Sequence, residues 1–128
     1  MVRSVIIVDD NPYVREALCK LFTREGDFDV CGEAENGREG VEKARQWRPD
    51  LIVTDLSMPV MNGFEVARAM KKLMPRVPVI IYSAYSDPFV EKEAYSAGAC
   101  AVISKSEPVA NLIVKARSLF DQFDQVAA

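Results

Sequence analysis

Three aspartates lie at the ends of two short apolar runs, and their chemistry is the most informative feature of this sequence. Asp9 and Asp10 follow Ser4–Val8, and Asp55 follows Leu51–Thr54. If both runs are strands of one parallel sheet, their carboxyl ends meet at the edge where such sheets bind ligands. At ~4 Å and an effective dielectric constant of about 20, each pair of like charges costs about 4 kcal/mol. Three converging carboxylates therefore require a cation or raised pKa values, and we interpret them as a divalent metal site.

The oxygen atoms of this set suit Mg²⁺, held by Asp10, Asp55 and a nearby carbonyl, with water completing an octahedron. Such an ion would orient a phosphoryl group, and the carboxylate of Asp55 could attack phosphorus as in enzymes that form an aspartyl phosphate. Ser83 ends a fourth apolar run and could donate a hydrogen bond to a phosphoryl oxygen, while Lys105 ends a fifth and could balance the acids. Taken alone, each is an ordinary turn or surface residue, so the hypothesis depends on the set.

The elements that must position these residues follow from the alternation of short apolar runs with longer segments of helical periodicity. This alternation predicts βαβ units around a parallel sheet. Strands are predicted near residues 4–9, 28–34, 51–54, 78–82 and 99–104. Helices are predicted after Asn11-Pro12, Asn36-Gly37 and Asn62-Gly63, near residues 88–97, and from Pro108 onward.

Composition narrows the class of protein. A chain of 128 residues with 49% hydrophobic content fits one domain with one core. No apolar run is long enough to cross a membrane and no signal peptide is evident, so we expect a cytoplasmic protein. The absence of histidine excludes a Ser-His-Asp or Cys-His triad, a histidine zinc site and a phosphohistidine carrier. The net charge of -3 gives no basic footprint for nucleic acid, and three isolated cysteines are expected to be structural.

Four motifs together resemble the receiver domain of two-component response regulators, in order and over the whole chain. They are Val-Asp9-Asp10-Asn-Pro, Asp55-Leu-Ser-Met-Pro59 with Asn62-Gly63, Ser83-Ala84, and Ser104-Lys105. The resemblance implies a flavodoxin-like α/β fold, a (βα)5 three-layer sandwich whose parallel five-stranded sheet has the order 2-1-3-4-5. It implies a single receiver domain over residues 1–128, with a core at about 3–122 and no effector domain in this chain. The terminal motifs resemble receivers that precede a helix-turn-helix domain, and the sequence leaves open whether the chain acts alone or is a fragment.

The same resemblance implies a role for each motif residue. Asp55 would be the phosphoacceptor, and Asp10, Asp55 and the backbone carbonyl of Ser57 would bind Mg²⁺, with Asp9 acting through water. Ser83 and Lys105 would contact phosphoryl oxygens. Mn²⁺ is an expected substitute for Mg²⁺. A sensor histidine kinase would be the phosphoryl donor, and phosphorylation would switch the surface of the fourth helix, fifth strand and fifth helix. That surface could also support a phosphorylation-linked homodimer, whereas no nucleic acid or membrane partner is expected. The chain would be a signalling module, catalysing only its own phosphorylation and dephosphorylation.

The sequence departs from the receiver pattern at Val102, at Ser106, and at Tyr85 and Ser57, two positions that in the family tune how readily water attacks the phospho-aspartate; it also leaves two other functions open. Val102 occupies the position where the family often has Tyr or Phe, and Ser106 follows Lys105 where proline is common, so the peptide isomer is not predictable. Tyr85 could shield a phosphoryl group. A Mg²⁺-dependent phosphatase would usually need a second acid where Ser57 stands. A pseudo-receiver, which is a protein-interaction scaffold not regulated by phosphorylation, is disfavoured by the intact acids and lysine.

Overall fold

The structure is a computed structural model that describes the backbone of residues 2–127 and the side chains of residues 2–122. The five strands are β1 (Arg3–Val8), β2 (Phe28–Ala34), β3 (Leu51–Thr54), β4 (Val79–Ser83) and β5 (Ala101–Ser104). The five helices are α1 (Pro12–Arg24), α2 (Gly37–Trp47), α3 (Gly63–Leu73), α4 (Pro88–Ala97) and α5 (Ala110–Ala127). Met1 and Ala128, the two ends of the predicted domain, lie outside the described residues.

The strands form one parallel sheet in the order β2-β1-β3-β4-β5, which confirms the predicted flavodoxin-like topology. The register aligns Val8 at the end of β1 with Thr54 at the end of β3, and Ser83 of β4 with Ser104 of β5. The residues after these four positions are therefore delivered to the same edge of the sheet.

Two apolar layers cover the two faces of the sheet. Successive strand residues point to opposite faces, so Ile7 packs into the layer with α1 and α5 while Ile6 packs into the layer with α2, α3 and α4. Leu51, Ile52 and Val53 are all buried, as expected for a central parallel strand covered on both sides.

Asparagine side chains fix the starts of three helices. Asn11 accepts hydrogen bonds from the amides of Tyr13 and Val14 at 2.9 and 3.3 Å, and Asn36 accepts from the amide of Glu39 at 2.9 Å. Asn62 and Glu65 form a reciprocal capping box at the start of α3. Because Asn62 supplies this cap, Asp55 is not needed for it.

The structure differs from the predicted boundaries at β5 and α5. β5 begins at Ala101 rather than Ala99, because the Ala99 amide donates to the carbonyl of Ala94 at 3.0 Å and so closes α4. α5 begins at Ala110 rather than Pro108, because the carbonyl of Pro108 accepts from Asn111 in a tighter turn. Both differences lie in connections and leave the predicted edge of the sheet intact. No helix in the part of the chain that the structure describes is long and apolar enough to cross a membrane.

Candidate metal centre

The carboxylates of Asp9, Asp10 and Asp55 come together at the carboxyl edge of β1 and β3. Each offers one oxygen atom within 4.8 Å of the others. Pairing of the strands causes this directly, since the amide of Asp55 donates to the carbonyl of Val8 at 2.8 Å. Among the described residues, this is the one group of three or more acidic, histidine or cysteine side chains that could hold a metal ion.

The two adjacent aspartates have different surroundings. Asp9 is 1% exposed, and its Oδ1 accepts from the amide of Asn11 at 2.9 Å, which turns the chain out of the strand. Asp10 is exposed. The turn thus places one carboxylate inside the protein and leaves the next open to an incoming ion.

Lys105 bridges the two buried acids. Its Nζ lies 3.1 Å from Asp9 Oδ2 and 3.3 Å from Asp55 Oδ1, and 5.7 Å from the centre of the Tyr82 ring. Burial alone would lower the pKa of Lys105, but the charges of Asp9 and Asp55 outweigh it, so the pKa is raised. The amide of Lys105 donates to the carbonyl of Ser83 at 2.7 Å, which fixes the lysine at this edge of the sheet.

Asp55 is held in an environment that penalises its charge. Burial, followed by the nearby charge of Asp9, raises the pKa of Asp55, and Lys105 offsets part of the rise. Its Oδ1 accepts from the amide of Leu56 at 2.8 Å. A bound cation would relieve the remaining penalty, so the donor set fits Mg²⁺.

Backbone packing beside Asp55 requires a glycine. A Cβ atom added at Gly63 would lie 2.5 Å from the carbonyl oxygen of Asp55, and the Gly63 amide donates to the carbonyl of Leu56 at 2.8 Å. The start of α3 therefore closes directly on the residue that follows β3. This close approach holds the backbone of Asp55 in place.

The remaining predicted site residues lie around this centre. Ser83 is 1% exposed, and its Oγ accepts from the amide of Tyr85 at 2.9 Å. Ser57 is exposed, and Tyr85 is 66% exposed, so its ring does not pack in the protein interior. The role of Tyr85 as a shield stays a prediction.

Two of the departures from the receiver pattern, Val102 and Ser106, have local explanations. Val102 is partly buried and packs against the layer formed by α2, α3 and α4. No peptide bond within the described residues is cis, so the Lys105–Ser106 bond is trans. The amide of Ser106 donates to Ser104 Oγ at 3.1 Å, a contact that proline could not make.

Sequence reasoning missed Arg15, which is a second basic side chain beside the acids. Its Nη1 donates to the backbone carbonyl of Asp9 at 2.7 Å, and its Nε contacts Glu33 Oε1 at 3.3 Å. The sequence feature that could have identified Arg15 is a basic residue one helical turn after the Asn11 cap. An arginine on a helix is usually a solvated side chain, so the spacing alone did not distinguish it.

The structure is a doubly wound α/β domain with clustered carboxylates and a lysine at the carboxyl edge of its parallel sheet, the edge where such sheets bind ligands. The sequence profile of the response regulator receiver domain matches residues 5–117. The chain therefore belongs to the response regulator receiver family.

Individual relatives agree with this assignment. The chain is 39% identical over 99 residues to the chemotaxis protein CheY of Thermotoga maritima, covering 77% of this chain and 82% of that protein. It is 39% identical over 108 residues to a protein-glutamate methylesterase/protein-glutamine glutaminase of Hahella chejuensis, covering 83% of this chain but 28% of that protein. A LuxR-family two-component response regulator from an Aurantimonas species superposes with a TM-score of 0.91 at 26% identity, covering 95% of this chain and 87% of that one. The chain thus spans most of one relative and less than a third of another.

Proposed function

We propose that this chain is a phosphoacceptor module in which Asp55 takes a phosphoryl group in the presence of Mg²⁺. The observation that carries the proposal is the convergence of one oxygen each from Asp9, Asp10 and Asp55 within 4.8 Å, with Lys105 Nζ bonded to two of them. Asp10, Asp55 and the backbone carbonyl of Ser57 would hold the ion, with Mn²⁺ as a substitute. Asp9 would act on it through water.

The reaction is a displacement at phosphorus. An Oδ atom of Asp55 forms a bond to phosphorus, while the bond from phosphorus to the nitrogen of a kinase phosphohistidine, or to the oxygen of a small acyl phosphate, breaks. The leaving group keeps the electron pair of that bond. When bound, Mg²⁺ would offset negative charge on the transferring group.

Lys105 and Ser83 are the protein groups proposed to contact the phosphoryl oxygens. The Nζ of Lys105 already lies 3.3 Å from Asp55 Oδ1. It is therefore positioned to contact the negatively charged oxygen atoms of a phosphoryl group attached to Asp55. Ser83 Oγ accepts from the Tyr85 amide, which leaves its own proton free to donate. Recruitment of Ser83 would pull on the segment that leads into α4.

The partner and the output are proposed from the membership of this chain in the receiver family. A sensor histidine kinase would supply the phosphoryl group, and the surface of α4, β5 and α5 would respond and could form a phosphorylation-linked homodimer. The CheY of Borrelia burgdorferi, 28% identical to this chain, has been solved in a complex with CheX, beryllofluoride and magnesium. Residues 1–128 would act as a single receiver, without an effector domain within them.

The test is labelling with acetyl phosphate, in the presence and absence of Mg²⁺, of the wild-type chain and Asp55→Asn. We expect one phosphoryl group on the wild type with Mg²⁺, and none on Asp55→Asn or after chelation. Asp29→Asn is the matched control, because Asp29 is an exposed aspartate in β2. Undiminished labelling of Asp55→Asn would contradict the proposal, and an unlabelled wild type would favour a scaffold that is not regulated by phosphorylation.

A further inference from the structure

Arg15 connects the acidic centre to the rest of the protein at the peptide between Asp9 and Asp10. The carbonyl between Asp9 and Asp10 belongs to the peptide that orients Asp10. Arg15 Nη1 donates to that carbonyl at 2.7 Å. This is a short hydrogen bond from a charged donor, and such bonds are stronger than those between neutral groups. Asp10 itself is exposed, and this peptide fixes the position of its Cα atom, from which its carboxylate side chain extends.

The arginine is itself held in place. Its side chain is 20% exposed, and its Nε contacts Glu33 Oε1 at 3.3 Å. Glu33 lies in β2 opposite Ile7 of β1, and its backbone carbonyl accepts a hydrogen bond from Lys43 of α2. The guanidinium therefore bridges the acidic turn and β2 from a fixed position on α1.

Arg15 also carries a permanent charge next to the acids. Lys105 forms ion pairs with Asp9 and Asp55, but no hydrogen bond or ion pair to the Asp10 carboxylate is present among the described residues. A guanidinium on the adjoining carbonyl keeps the peptide plane fixed without competing for the Asp10 carboxylate. A carboxylate held open and oriented in this way is prepared for a metal ion.

We propose that Arg15 is a positioning residue of the metal centre: it fixes the Asp9–Asp10 peptide so that the Asp10 carboxylate faces the ion. The proposal rests on the Mg²⁺ site of the proposed function. It adds a requirement in α1, outside the four strand-end motifs. Loss of partners that orient a metal ligand typically costs about 10- to 100-fold in affinity.

The test compares Mg²⁺ affinity and the carbonyl carbon-13 chemical shift of Asp9 in the wild type and in Arg15→Ala. We expect the Mg²⁺ dissociation constant to rise about tenfold. We also expect the Asp9 carbonyl shift to move in the metal-free protein, where no ion contributes to it. Arg24→Ala is the matched control, because Arg24 is an exposed arginine in the last turn of the same helix, and it should leave both quantities unchanged.

Two further variants keep the test decisive if Arg15→Ala does not fold. Arg15→Lys keeps the charge but loses the planar donor, so it should recover part of the affinity. Glu33→Gln removes the ion pair but leaves the bond to the Asp9 carbonyl, so it should weaken binding by less than about threefold. A wild-type dissociation constant in the folded Arg15→Ala or Arg15→Lys variant would overturn the proposal, as would an unchanged Asp9 carbonyl shift. If the wild type itself binds no Mg²⁺, the proposed function fails, while the carbonyl shift still reports whether Arg15 fixes the turn.

Discussion

The two halves of the site differ in what holds them together. In the half built on β1 and β3, three carboxylates lie within 4.8 Å of one another and create a demand for positive charge. In the half built on β4 and β5, Ser83, Val102 and Ser106 are held by hydrogen bonds and packing. The first half follows the pattern of the receiver family, whereas the second keeps Ser83 and Lys105 but departs from the pattern at Val102 and Ser106. We therefore expect metal binding and switching to be separable, so that each can be perturbed alone.

The strongest way to break the acidic half is Asp10→Asn. We expect the Mg²⁺ dissociation constant to rise about 100-fold, since the proposed ligand loses its negative charge. Asp10 is exposed and accepts no hydrogen bond from the described side chains. Stability should therefore change by less than about 0.5 kcal/mol. Titration calorimetry and thermal unfolding measure the two quantities, and an unchanged dissociation constant would remove Asp10 from the ligand set.

Removing Lys105 should cost stability in the metal-free protein. Lys105→Ala leaves Asp9 and Asp55 buried without the cation that contacts both at 3.1 and 3.3 Å. We expect a loss of about 2 kcal/mol, which is below the usual cost of breaking a buried pair. The loss is smaller because the side chain of Lys105 is partly exposed. Added Mg²⁺ should restore part of it in urea unfolding.

The control for Lys105→Ala is Lys20→Ala, which removes an exposed lysine of α1. Its loss of stability should be close to zero, because exposed ion pairs contribute little. Equal losses in both variants would contradict the bridging role of Lys105.

The raised pKa of Asp55 gives a pH dependence with a definite sign. Because the folded protein holds this proton more tightly than the unfolded chain, stability falls as pH rises from the ordinary carboxyl pKa through the raised one. Asp55→Asn should lack this fall and be more stable than the wild type at neutral pH without Mg²⁺. Urea unfolding of both proteins over a range of pH measures these free energies of unfolding. A variant less stable than the wild type at neutral pH would show that the Asp55 charge is already satisfied.

The smallest effect is expected in the β4 and β5 half. Val102 occupies a partly buried position, and Val102→Ala removes two methyl groups from it. We expect a loss of stability of about 1 kcal/mol. The Mg²⁺ dissociation constant should stay within about twofold of the wild type. A large change in Mg²⁺ affinity would show that the two halves of the site are coupled in the metal-free state, so that metal binding and switching could not be perturbed separately.

Features governed by local chemistry were predictable from sequence. Asn11 and Asn62 cap the helices assigned to them, and Asp55 follows a strand buried on both faces. The strand order came from the resemblance to the receiver family, and the structure confirms it. In each case the signal lies within a few neighbouring residues or in a recognised motif.

Features governed by tertiary contacts were not predictable. The start of β5 depends on a hydrogen bond from Ala99 back to α4, and the contact of Arg15 with Asp9 depends on how α1 packs beside β2. The isomer of the Lys105–Ser106 peptide likewise had no sequence signal. The sequence predicts that Lys105 balances the charge of the acids. That its Nζ contacts both Asp9 and Asp55 could be learned only from the structure.

The central claim is that Asp55 accepts a phosphoryl group at a site that also requires Mg²⁺. Fluorine-19 NMR with beryllofluoride, a phosphoryl mimic, tests this most directly, because bound and free fluoride give separate signals. We predict bound signals for the wild type with Mg²⁺ and their absence in Asp55→Asn and in the metal-free protein. Bound signals that persist in Asp55→Asn, or that appear without a divalent ion, would contradict the claim.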